Sequence, residues 1–506
     1  MNDGDRARNP YSSASSDLAP HHRGTPLPDY VNAWVSTQRW FGNKGQVPAL
    51  RSIGHFTLES PDPTITIRVD LMLDTASLDL TLYQVPTTER VLELAGATNA
   101  LITVRKPGSE HARYIYDAAY DPAFASALLQ FMTDHNGASF ARSEPTAKWS
   151  ASARGHDLRP AGDTASASQV LTSRVLSGEQ SSTSIIVERT GPLGTPTTPL
   201  ICKIFRIIHA GENPDVMVQT ALAAAGSNRV PLPYGAVEGQ WDDPAEPSNR
   251  AVGHLAFAQE FLPDAPDAWR TALVAAASRS DFTGPAFRLG QATAQVHHDL
   301  ARTLPTREAT STVIAAEMAK MRLRCRQALN EVPVLADHRE SIEAVFVRAE
   351  SVPWPTLQRI HGDFHLGQVL DVPHRGWVLL DFEGEPLRSL RERTEPDIAL
   401  RDVAGMLRSF SYVAGAMTAT GAGIDRTGEI DASGDTDIFE WATTCREAFL
   451  TGYAECSGID LAQKQALLDA FELDKALYEA VYEVRNRPTW LPIPLAAIKR
   501  LVRLSS

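Results

Sequence analysis

The chain has 506 residues, of which 43% are hydrophobic and 22% charged, a balance typical of folded globular domains rather than of disordered chains. At roughly 150 residues per domain, its length predicts about two to four domains. Lys and Arg number 48 against 61 Asp and Glu, which gives a formal net charge of −13. Such a surface repels polyphosphate backbones, so we expect no nucleic-acid partner.

The spacing of the cysteines and the length of the apolar runs predict the cellular compartment of the protein. Cys202, Cys325, Cys445 and Cys456 are scattered without CxxC or Cys/His spacing, which predicts neither a structural zinc site nor a disulfide framework. No stretch approaches the roughly 18 apolar residues of a membrane span, and the N-terminus has no apolar core behind its charges. We therefore expect a protein of the reducing cytoplasm with no membrane partner.

The first third of the chain predicts a polar tail followed by a small mixed fold. Residues 1–27 combine Asn, Asp, Ser, Pro and Arg with almost no large apolar groups, so we expect them to be a disordered tail. Apolar spacing then predicts a helix over 30–41, two alternating strands and a second helix, and we interpret residues 146–168 as a loop or linker. The strands are expected at 65–71 and 78–85, and the second helix at 122–132.

The segment up to residue 262 predicts strands separated by turns. Residues 175–187 have a pattern of strand, small-residue turn and strand. Residues 198–205 show the alternation typical of a strand and carry a single lysine, Lys203. Residues 255–262 form a further apolar strand that ends before Pro263. Beyond that proline the pattern is mostly helical, with amphipathic runs at 286–300, 313–329 and 342–349.

Residues 359–385 carry the ionisable groups that phosphoryl transfer requires. Asp363 and Gln368 have the five-residue spacing of the base and the metal-binding amide in kinase catalytic loops. Asp381 follows the apolar run Val378-Leu-Leu380, so we expect it at the end of a buried strand, where it opens Asp-Phe-Glu in place of the Asp-Phe-Gly of protein kinases. A surface turn that is rich in His and Asp by chance is the alternative.

We predict distinct roles for these groups. Asp363 orients the acceptor hydroxyl and takes its proton. Gln368 and Asp381 ligate Mg²⁺ through oxygen atoms, with Glu383 as a further ligand, because Mg²⁺ prefers such hard donors. ATP is the expected phosphoryl donor.

A kinase centre at this position makes the upstream strands a nucleotide site. Lys203 is expected to face the α- and β-phosphates of ATP. The turn after residue 175 offers backbone N–H and hydroxyl groups that could cover phosphates, although many hairpins carry such turns, and the strand before Pro263 is expected to pair with adenine. The turn residues are Glu179, Gln180, Ser181 and Ser182, and the adenine-pairing residues are Gln259, Glu260, Phe261 and Leu262.

The expected partner of Lys203 departs from the usual pattern. In protein kinases a helix supplies a Glu to pair with this lysine, but here that position falls on Met217. Asp215, Gln219 or Glu212 could replace it, or phosphate alone could hold the lysine. Without a carboxylate partner we expect a slow enzyme, and a nucleotide- or sugar-sensing pseudokinase becomes the alternative of a different class.

The C-terminal region predicts a polar, aromatic stripe on one helix face. Aromatic faces cover the C–H patches of pyranose rings and carboxylates accept hydroxyl protons, so the stripe suits a sugar, and Trp490 could close the pocket. The alternative places both tyrosines in the core and the glutamates in solvent. The stripe consists of Lys475, Tyr478, Glu479, Tyr482 and Glu483, at three- and four-residue spacing.

Three further polar residues lie in or near the catalytic segment. His365 could orient Asp363 or the substrate, or lie buried behind the loop. Arg401 and Asp402 open a predicted helix, and we expect them to support the catalytic loop rather than to bind ligands.

Several of these segments together resemble actinobacterial maltokinase, a relative of the aminoglycoside phosphotransferases with an N-terminal cap. The catalytic-loop segment is shared with related small-molecule kinases, whereas the cap phrase and the C-terminal segment narrow the choice. The matching segments include Gln38-Arg-Trp-Phe41, Lys203-Ile-Phe-Arg206, Gln259-Glu-Phe-Leu262, His361 to Leu370, Asp381 to Pro386 and Tyr482-Glu-Val-Arg-Asn-Arg-Pro488.

The resemblance implies an α+β, bilobal protein-kinase-like (aminoglycoside phosphotransferase-like) fold. It places an N-terminal cap and intermediate subdomain at residues 28–165, a β-rich nucleotide-binding lobe at 166–262, and a mainly helical lobe with the catalytic loop and sugar site at 263–506. It also implies ATP-dependent phosphorylation of maltose at the anomeric hydroxyl, which gives maltose 1-phosphate for α-glucan (glycogen) synthesis from trehalose, with trehalose synthase as a partner. A kinase for glucosamine or another hexose is the nearest alternative.

Overall fold

The computed structural model divides the chain into two compact units. Unit 1 comprises Met1–Thr220 and Pro231–Leu262, and unit 2 comprises Ala221–Val230 and Pro263–Ser506. The structure describes residues 25–26, 29–42, 47–76, 80–134, 140–142, 150–160, 169–176, 182–191, 194–244, 246, 249–385, 388–418 and 436–503.

Unit 1 is built mainly from antiparallel strands. Its strands are β1 (Thr25–Pro26), β2 (Leu50–Leu58), β3 (Thr66–Asp74), β4 (Thr81–Arg90), β5 (Leu101–Arg105), β6 (Arg113–Asp117), β7 (Phe140–Arg142), β8 (Ala151–Asp157), β9 (Gln169–Val175), β10 (Ser182–Thr190), β11 (Leu200–Phe205), β12 (Ile207–Ile208), β13 (Pro233–Asp242) and β14 (Arg250–Glu260). Within the described ranges they form one sheet in the order β1-β2-β3-β4-β6-β5, with β12 beside β4, and another in the order β7-β8-β13-β14-β11-β10-β9. The accompanying helices are α1 (Asp29–Thr37), α2 (Pro122–Thr133) and the first part of α3 (Pro214–Ala224), whose residues from Ala221 onward belong to unit 2.

One apolar cluster in unit 1 takes side chains from both sheets and from α2. Every second residue of β3 from Ile67 to Leu73 packs into this cluster, together with Phe124 of α2 and Ile204 of β11, as the period of two along a strand requires. The helix α2 begins after Asp121, whose side chain accepts a hydrogen bond from the backbone N–H two residues later, an N-cap that stabilises the first turn. The core of unit 1 is therefore shared between its two sheets.

Buried polar groups also join the two sheets of unit 1. The side-chain amide of Gln84 in β4 donates to the carbonyl oxygen of Phe205 at 3.1 Å. Arg206 is completely buried and donates to both oxygens of Asp117 at 2.8 Å and to the hydroxyl of Thr183 at 2.9 Å. Because an unpaired buried charge is costly, these bonds favour a single arrangement of the sheets.

Unit 2 is mainly helical and carries a short hairpin. Its helices are α4 (Ala268–Ala277), α5 (Thr283–Thr303), α6 (Ser311–Glu331), α7 (Arg339–Ser351), α8 (Leu390–Thr394), α9 (Leu400–Thr418), α10 (Thr436–Ser457), α11 (Gln465–Asn486) and α12 (Pro492–Arg503), and the hairpin strands are β15 (Val369–Val372) and β16 (Gly376–Leu379). Glycines allow α5 and α10 to approach closely, because a Cβ on Gly290 would lie 2.1 Å from the carbonyl oxygen of Phe449 and one on Gly452 would lie 2.0 Å from that of Phe287. Among the helices that the structure describes, none has both the length and the apolar content to cross a bilayer.

The predicted elements are largely confirmed, with differences in the first third of the chain. The helix expected over 30–41 ends at Thr37, and residues 25–26 of the expected tail pair with β2. The polar run expected as a loop or linker contains β8, which pairs with β13 and β7. Small residues are required there, since a Cβ on Gly155 would lie 1.9 Å from a carbonyl oxygen of α2, and they lack the β-branched signal of a strand. The predicted domain boundaries stay predictions.

Candidate active site

The catalytic loop leads through a short turn into the hairpin of unit 2. The 3₁₀ turn Leu366–Gln368 precedes β15, which pairs with β16. The backbone N–H of Leu380 donates to the carbonyl oxygen of Gln368 at 2.9 Å. Asp381 therefore emerges beside Gln368, and the buried strand predicted before it is confirmed.

Gln368, Asp381 and Glu383 bring polar atoms together. The amide Nε2 of Gln368 donates to Oδ2 of Asp381 at 3.2 Å, and a carboxylate oxygen of Asp381 lies within 4.8 Å of one of Glu383. Asp381 has a φ of +59°, a left-handed conformation that Asp tolerates better than most residues and that occurs often at functional sites. Because Mg²⁺ prefers oxygen donors of this kind, the residues present fit the predicted metal.

Asp363 faces an ammonium group. Nζ of Lys475 in α11 lies 3.2 Å from Oδ1 of Asp363 and 2.7 Å from Oε1 of Glu385. Burial lowers the pKa of Lys475, but the charges of Glu385 and Asp363 outweigh burial and hold that pKa well above its usual value. Burial raises the pKa of Glu385, but the positive charges of Lys475 and Arg388 outweigh burial and hold that pKa far below its usual value. Lys475 and Glu385 therefore both remain charged at neutral pH.

Asp402, near the start of α9, holds the backbone of the catalytic loop. Its two carboxylate oxygens accept hydrogen bonds from the N–H groups of His361 at 2.8 Å and Gly362 at 2.9 Å. Nε2 of His297 lies 3.0 Å from the same carboxylate. Burial raises the pKa of Asp402, but the hydrogen bond and charge of His297 lower it, and the net pKa is below its usual value. The predicted supporting role of Asp402 is confirmed.

Arg401 supports the helices of unit 2. It donates to Glu317 of α6 at 2.6 Å, to Asp397 at 2.8 Å and to Asp474 of α11 at 3.1 Å. Because these three carboxylates come from separated segments, Arg401 ties α6, α9 and α11 together rather than contacting the loop itself.

The ring of His361 links the two halves of the catalytic segment. Its Nε2 lies 2.8 Å from the carbonyl oxygen of Leu380, which can only accept, so Nε2 carries the proton. Nδ1 then accepts from the N–H of Asp363 at 3.4 Å. The same ring lies 4.8 Å from that of Phe382 and 5.2 Å from that of Phe364. Through these contacts the base and the segment after β16 hold each other in place.

In unit 1, Lys203 has a carboxylate partner. It lies in β11, and its Nζ is 3.9 Å from Oδ2 of Asp215 in the first turn of α3. Nε2 of Gln219 donates to the other oxygen of Asp215 at 2.7 Å, as the spacing of four along a helix allows. Of the replacements considered for Met217, Asp215 is therefore the one that reaches the lysine.

Comparison with known proteins finds a matching cap domain and two relatives that are sugar kinases. Residues 34–121 match the maltokinase N-terminal cap domain. A glucosamine kinase of Mycolicibacterium smegmatis is 28% identical over 58% of this chain and 73% of its own length. One of Streptacidiphilus jiangxiensis is 29% identical over 54% of this chain and 62% of its own length.

Solved structures show the same fold. A glucosamine kinase in complex with glucosamine, ADP and inorganic phosphate has a TM-score of 0.62 at 20% identity, over 93% of this chain and 98% of that chain. A second crystal form of glucosamine kinase has a TM-score of 0.62 at 21% identity, over 93% and 99%. The chain thus contains a segment similar to the maltokinase cap and has the fold of these glucosamine kinases. Its bilobal, kinase-like α+β fold is as predicted.

Of the predicted phosphate-covering turn and adenine-pairing residues, those that the structure describes lie at the ends of strands. Glu179, Gln180 and Ser181 fall outside the described residues, and Ser182 begins β10 as a buried side chain. At the end of β14, the N–H groups of Glu260 and Phe261 donate to the carbonyl oxygens of Leu232 and Pro199, each at 2.8 Å. Adenine pairing at this edge would therefore use carbonyl oxygens or the adjacent Leu262, and it stays a prediction. Within the described part of the chain, Oε1 of Gln259 is buried and accepts no hydrogen bond.

The predicted sugar residues fall into two groups. His365 and Tyr478 lie near the base: burial lowers the pKa of His365 against the opposing charge of Asp363, and the Tyr478 ring is 5.3 Å from Nζ of Lys475. The second group surrounds Arg487, whose guanidinium carbon is 5.4 Å from the Tyr482 ring and 4.8 Å from the Trp490 ring. All sugar contacts stay predictions.

Glu483 belongs to this second group and is almost fully buried. Its oxygens accept hydrogen bonds from the hydroxyl of Tyr412 at 3.0 Å and from Arg487 at 2.7 and 3.0 Å. These contacts favour a structural role for the carboxylate, because three of its roughly four acceptor sites are occupied within unit 2.

Two features of the candidate site were missed by sequence reasoning. Lys475 was predicted only as a member of the polar, aromatic stripe on α11, and its pairing with Asp363 and Glu385 was not predicted. The hydrogen bond between Asp402 and His297 was also missed, because the sequence predicted only that His297 lies in the helix over 286–300. No local pattern signals either pair, since their members are 112 and 105 residues apart.

Proposed function

We propose that the protein transfers the γ-phosphoryl group of ATP to the anomeric hydroxyl of maltose, which gives maltose 1-phosphate and ADP. The observation that carries the choice of maltose is the maltokinase cap at residues 34–121. The glucosamine kinase relatives support phosphoryl transfer to a sugar hydroxyl.

In this proposal Asp363 orients the sugar hydroxyl and takes its proton as the oxygen attacks the γ-phosphorus, while the bond to the bridging oxygen of ADP breaks. Lys203, held by Asp215, neutralises charge on the α- and β-phosphates. Gln368, Asp381 and Glu383 would hold Mg²⁺, which would neutralise negative charge on the phosphates. The loop N–H groups that donate to the Asp402 carboxylate and to the His361 ring keep the loop rigid, so little reorganisation is needed at the moment of transfer.

Maltose 1-phosphate is an activated sugar, and we propose that it supplies α-glucan synthesis in a route that starts from trehalose. Trehalose synthase, which would provide maltose, is the proposed partner. Both follow from the likeness to maltokinases.

A second candidate function is phosphorylation of glucosamine. The observation in its favour is that relatives at 28% and 29% identity are glucosamine kinases. The two candidates differ in the charge of the acceptor: glucosamine carries an ammonium group at neutral pH, and maltose is uncharged.

The deciding experiment compares kcat/KM for maltose, glucose, glucosamine and an aminoglycoside with purified protein, ATP and Mg²⁺. Phosphorus NMR of the product identifies the phosphorylated position. We expect kcat/KM for maltose to exceed that for each of the other acceptors by at least about tenfold, a factor that a binding pocket readily supplies. A preparation of the Asp363→Asn variant controls for contaminating kinases, and a higher kcat/KM for glucosamine than for maltose would reject the maltose proposal.

A further inference from the structure

The surroundings of the base in unit 2 already contain a cation. The ammonium of Lys475 lies between two carboxylates, 3.2 Å from Asp363 and 2.7 Å from Glu385. The side chain of Glu385 is 13% exposed and that of Lys475 is 24% exposed, so water screens the group only partly.

Contacts on the far side hold this arrangement in place. Glu385 also accepts from Arg388 at 2.9 Å, and Arg388 lies 3.3 Å from Asp397. The ring of Tyr478, one helical turn beyond Lys475, lies 5.3 Å from the ammonium, a distance at which a ring face attracts a cation. Lys475 is thus fixed on three sides, and its charge cannot move away from Asp363 without breaking several contacts.

A fixed ammonium beside the base has two consequences. It holds one oxygen of Asp363, so that the other is left to meet the acceptor hydroxyl in a defined direction. It also repels an acceptor that carries its own ammonium close to the reacting hydroxyl, since like charges interact strongly in a partly buried site. Two carboxylates without Lys475 would instead form an attractive site for an amine.

We propose that Lys475 is a positioning and specificity residue, which orients Asp363 and selects uncharged sugars over amino sugars. This inference rests on the proposed function, because it concerns the acceptor of the same phosphoryl transfer. It explains how a chain whose relatives are glucosamine kinases accepts a neutral sugar.

The first test compares the wild type with Lys475→Met, which keeps a long side chain without charge, and Lys475→Arg, which keeps the charge. Glucose and glucosamine serve as acceptors, since they differ only at carbon 2. In Lys475→Met we expect kcat/KM for glucosamine relative to glucose to rise by about tenfold or more. We expect Lys475→Arg to stay within about threefold of the wild-type ratio. An unchanged ratio in Lys475→Met would overturn the specificity role.

The second test examines positioning. With the neutral acceptor, Lys475→Ala should lower kcat by about 10- to 100-fold and change KM much less, because a misdirected base mainly affects the transition state. Added methylammonium should restore part of this kcat, whereas a merely structural role would show no rescue. Lys320→Met, on the exposed face of α6, is the matched control and should behave as the wild type.

Circular dichroism and melting curves establish that the variants are folded. If a single variant unfolds, the double variant Lys475→Met/Glu385→Gln removes the unpaired carboxylate and allows the same ratio to be measured. A wild-type preference for glucosamine over maltose would reject the proposed acceptor, yet the change in ratio between wild type and variant would still decide the role of Lys475.

Discussion

Asp363 is the residue on which the proposed chemistry depends. Its backbone N–H is tied to His361 and its carboxylate to Lys475, so both the position of the main chain and the direction of the side chain are constrained. A base held in this way serves the transition state more than the binding of nucleotide.

We therefore expect Asp363→Asn to lower kcat by about 10²- to 10⁴-fold while the Kd for ATP changes by less than about threefold. Steady-state kinetics and the titration of a fluorescent ATP analogue measure the two quantities separately. Equal turnover in variant and wild type would remove Asp363 from its role as the base.

Asp215 replaces the glutamate that kinases usually place opposite the lysine. It is buried, 3.9 Å from Lys203 and bonded to Gln219, whereas Met217 carries no charge. The acidic residue thus lies two positions before the one at which a glutamate is expected, and Lys203 still has a carboxylate partner.

We expect Asp215→Asn to lower kcat/KM for ATP by about tenfold or more, because the lysine loses the charge that orients it. Met217→Leu should leave kcat/KM within about twofold of the wild type, since this swap conserves apolar character and approximate volume. Steady-state kinetics at varied ATP provide the measurement. Equal effects of the two substitutions would show that Lys203 does not depend on Asp215.

At the scale of elements, α9 and α5 together position the catalytic loop. The carboxylate of Asp402 in α9 accepts hydrogen bonds from two N–H groups of the loop and lies 3.0 Å from Nε2 of His297 in α5. Nδ1 of His297 is in turn 3.0 Å from the hydroxyl of Tyr453 in α10. Three helices are therefore coupled to the loop through one carboxylate, which makes the loop geometry dependent on helix packing.

Asp402→Asn keeps the shape of the side chain but offers only one acceptor oxygen where two N–H groups and a histidine converge. We expect a loss of about 2–4 kcal/mol in the free energy of unfolding and a fall of about tenfold or more in kcat. Chemical denaturation and kinetics check both values. Asp337→Asn, at an exposed position, is the control, and a variant as stable and active as this control would contradict the anchoring role.

At the scale of the whole molecule, the burial of charged pairs makes stability depend on pH. Burial raises the pKa of Glu472, but Arg446 and Arg500 outweigh burial and hold the pKa at about 2. Arg446 lies 2.8 Å and Arg500 2.5 Å from its carboxylate. Because these ion pairs join α10, α11 and α12, protonation of Glu472 weakens contacts among three helices at once.

The sign of the effect follows from the lowered pKa. An unfolded Glu titrates near about 4.3, so the stabilisation by Glu472 is complete above that pH and is lost as the pH falls towards about 2. Glu479 and Asp469 act in the opposite direction, since burial raises the pKa of each and acid then favours their folded forms.

We predict that the melting temperature falls below about pH 4.3, and falls less steeply in Glu472→Gln than in the wild type. The variant should also melt at a lower temperature at neutral pH, because two buried arginines lose their partner. Scanning calorimetry at a series of pH values gives both results. Glu340→Gln, at an exposed position of α7, should follow the wild-type curve, and parallel curves for Glu472→Gln and the wild type would contradict the prediction.

Local sequence patterns predicted much of the fold and the identity of the main chemical groups. Apolar spacing predicted α5, α6 and α7 of unit 2, and the apolar run before Asp381 predicted its strand, because periodicity reports burial directly. The spacing from Asp363 to Gln368 and Asp381 predicted a kinase centre, since these residues act within one continuous loop and hairpin. The strand β8 escaped prediction because its small residues are required by the close approach of α2 rather than by β propensity.

The sequence alone determined which groups are available for the proposed catalysis: a candidate base, candidate oxygen ligands for a metal, and a candidate lysine for phosphates. Only the tertiary structure decided which charges stand beside them. Lys475 lies 112 residues from Asp363 and 90 residues from Glu385, and His297 lies 105 residues from Asp402. Nothing in their local spacing specifies that these groups meet. Charge pairing depends on distance in space and on burial, and both are set by the packing of helices.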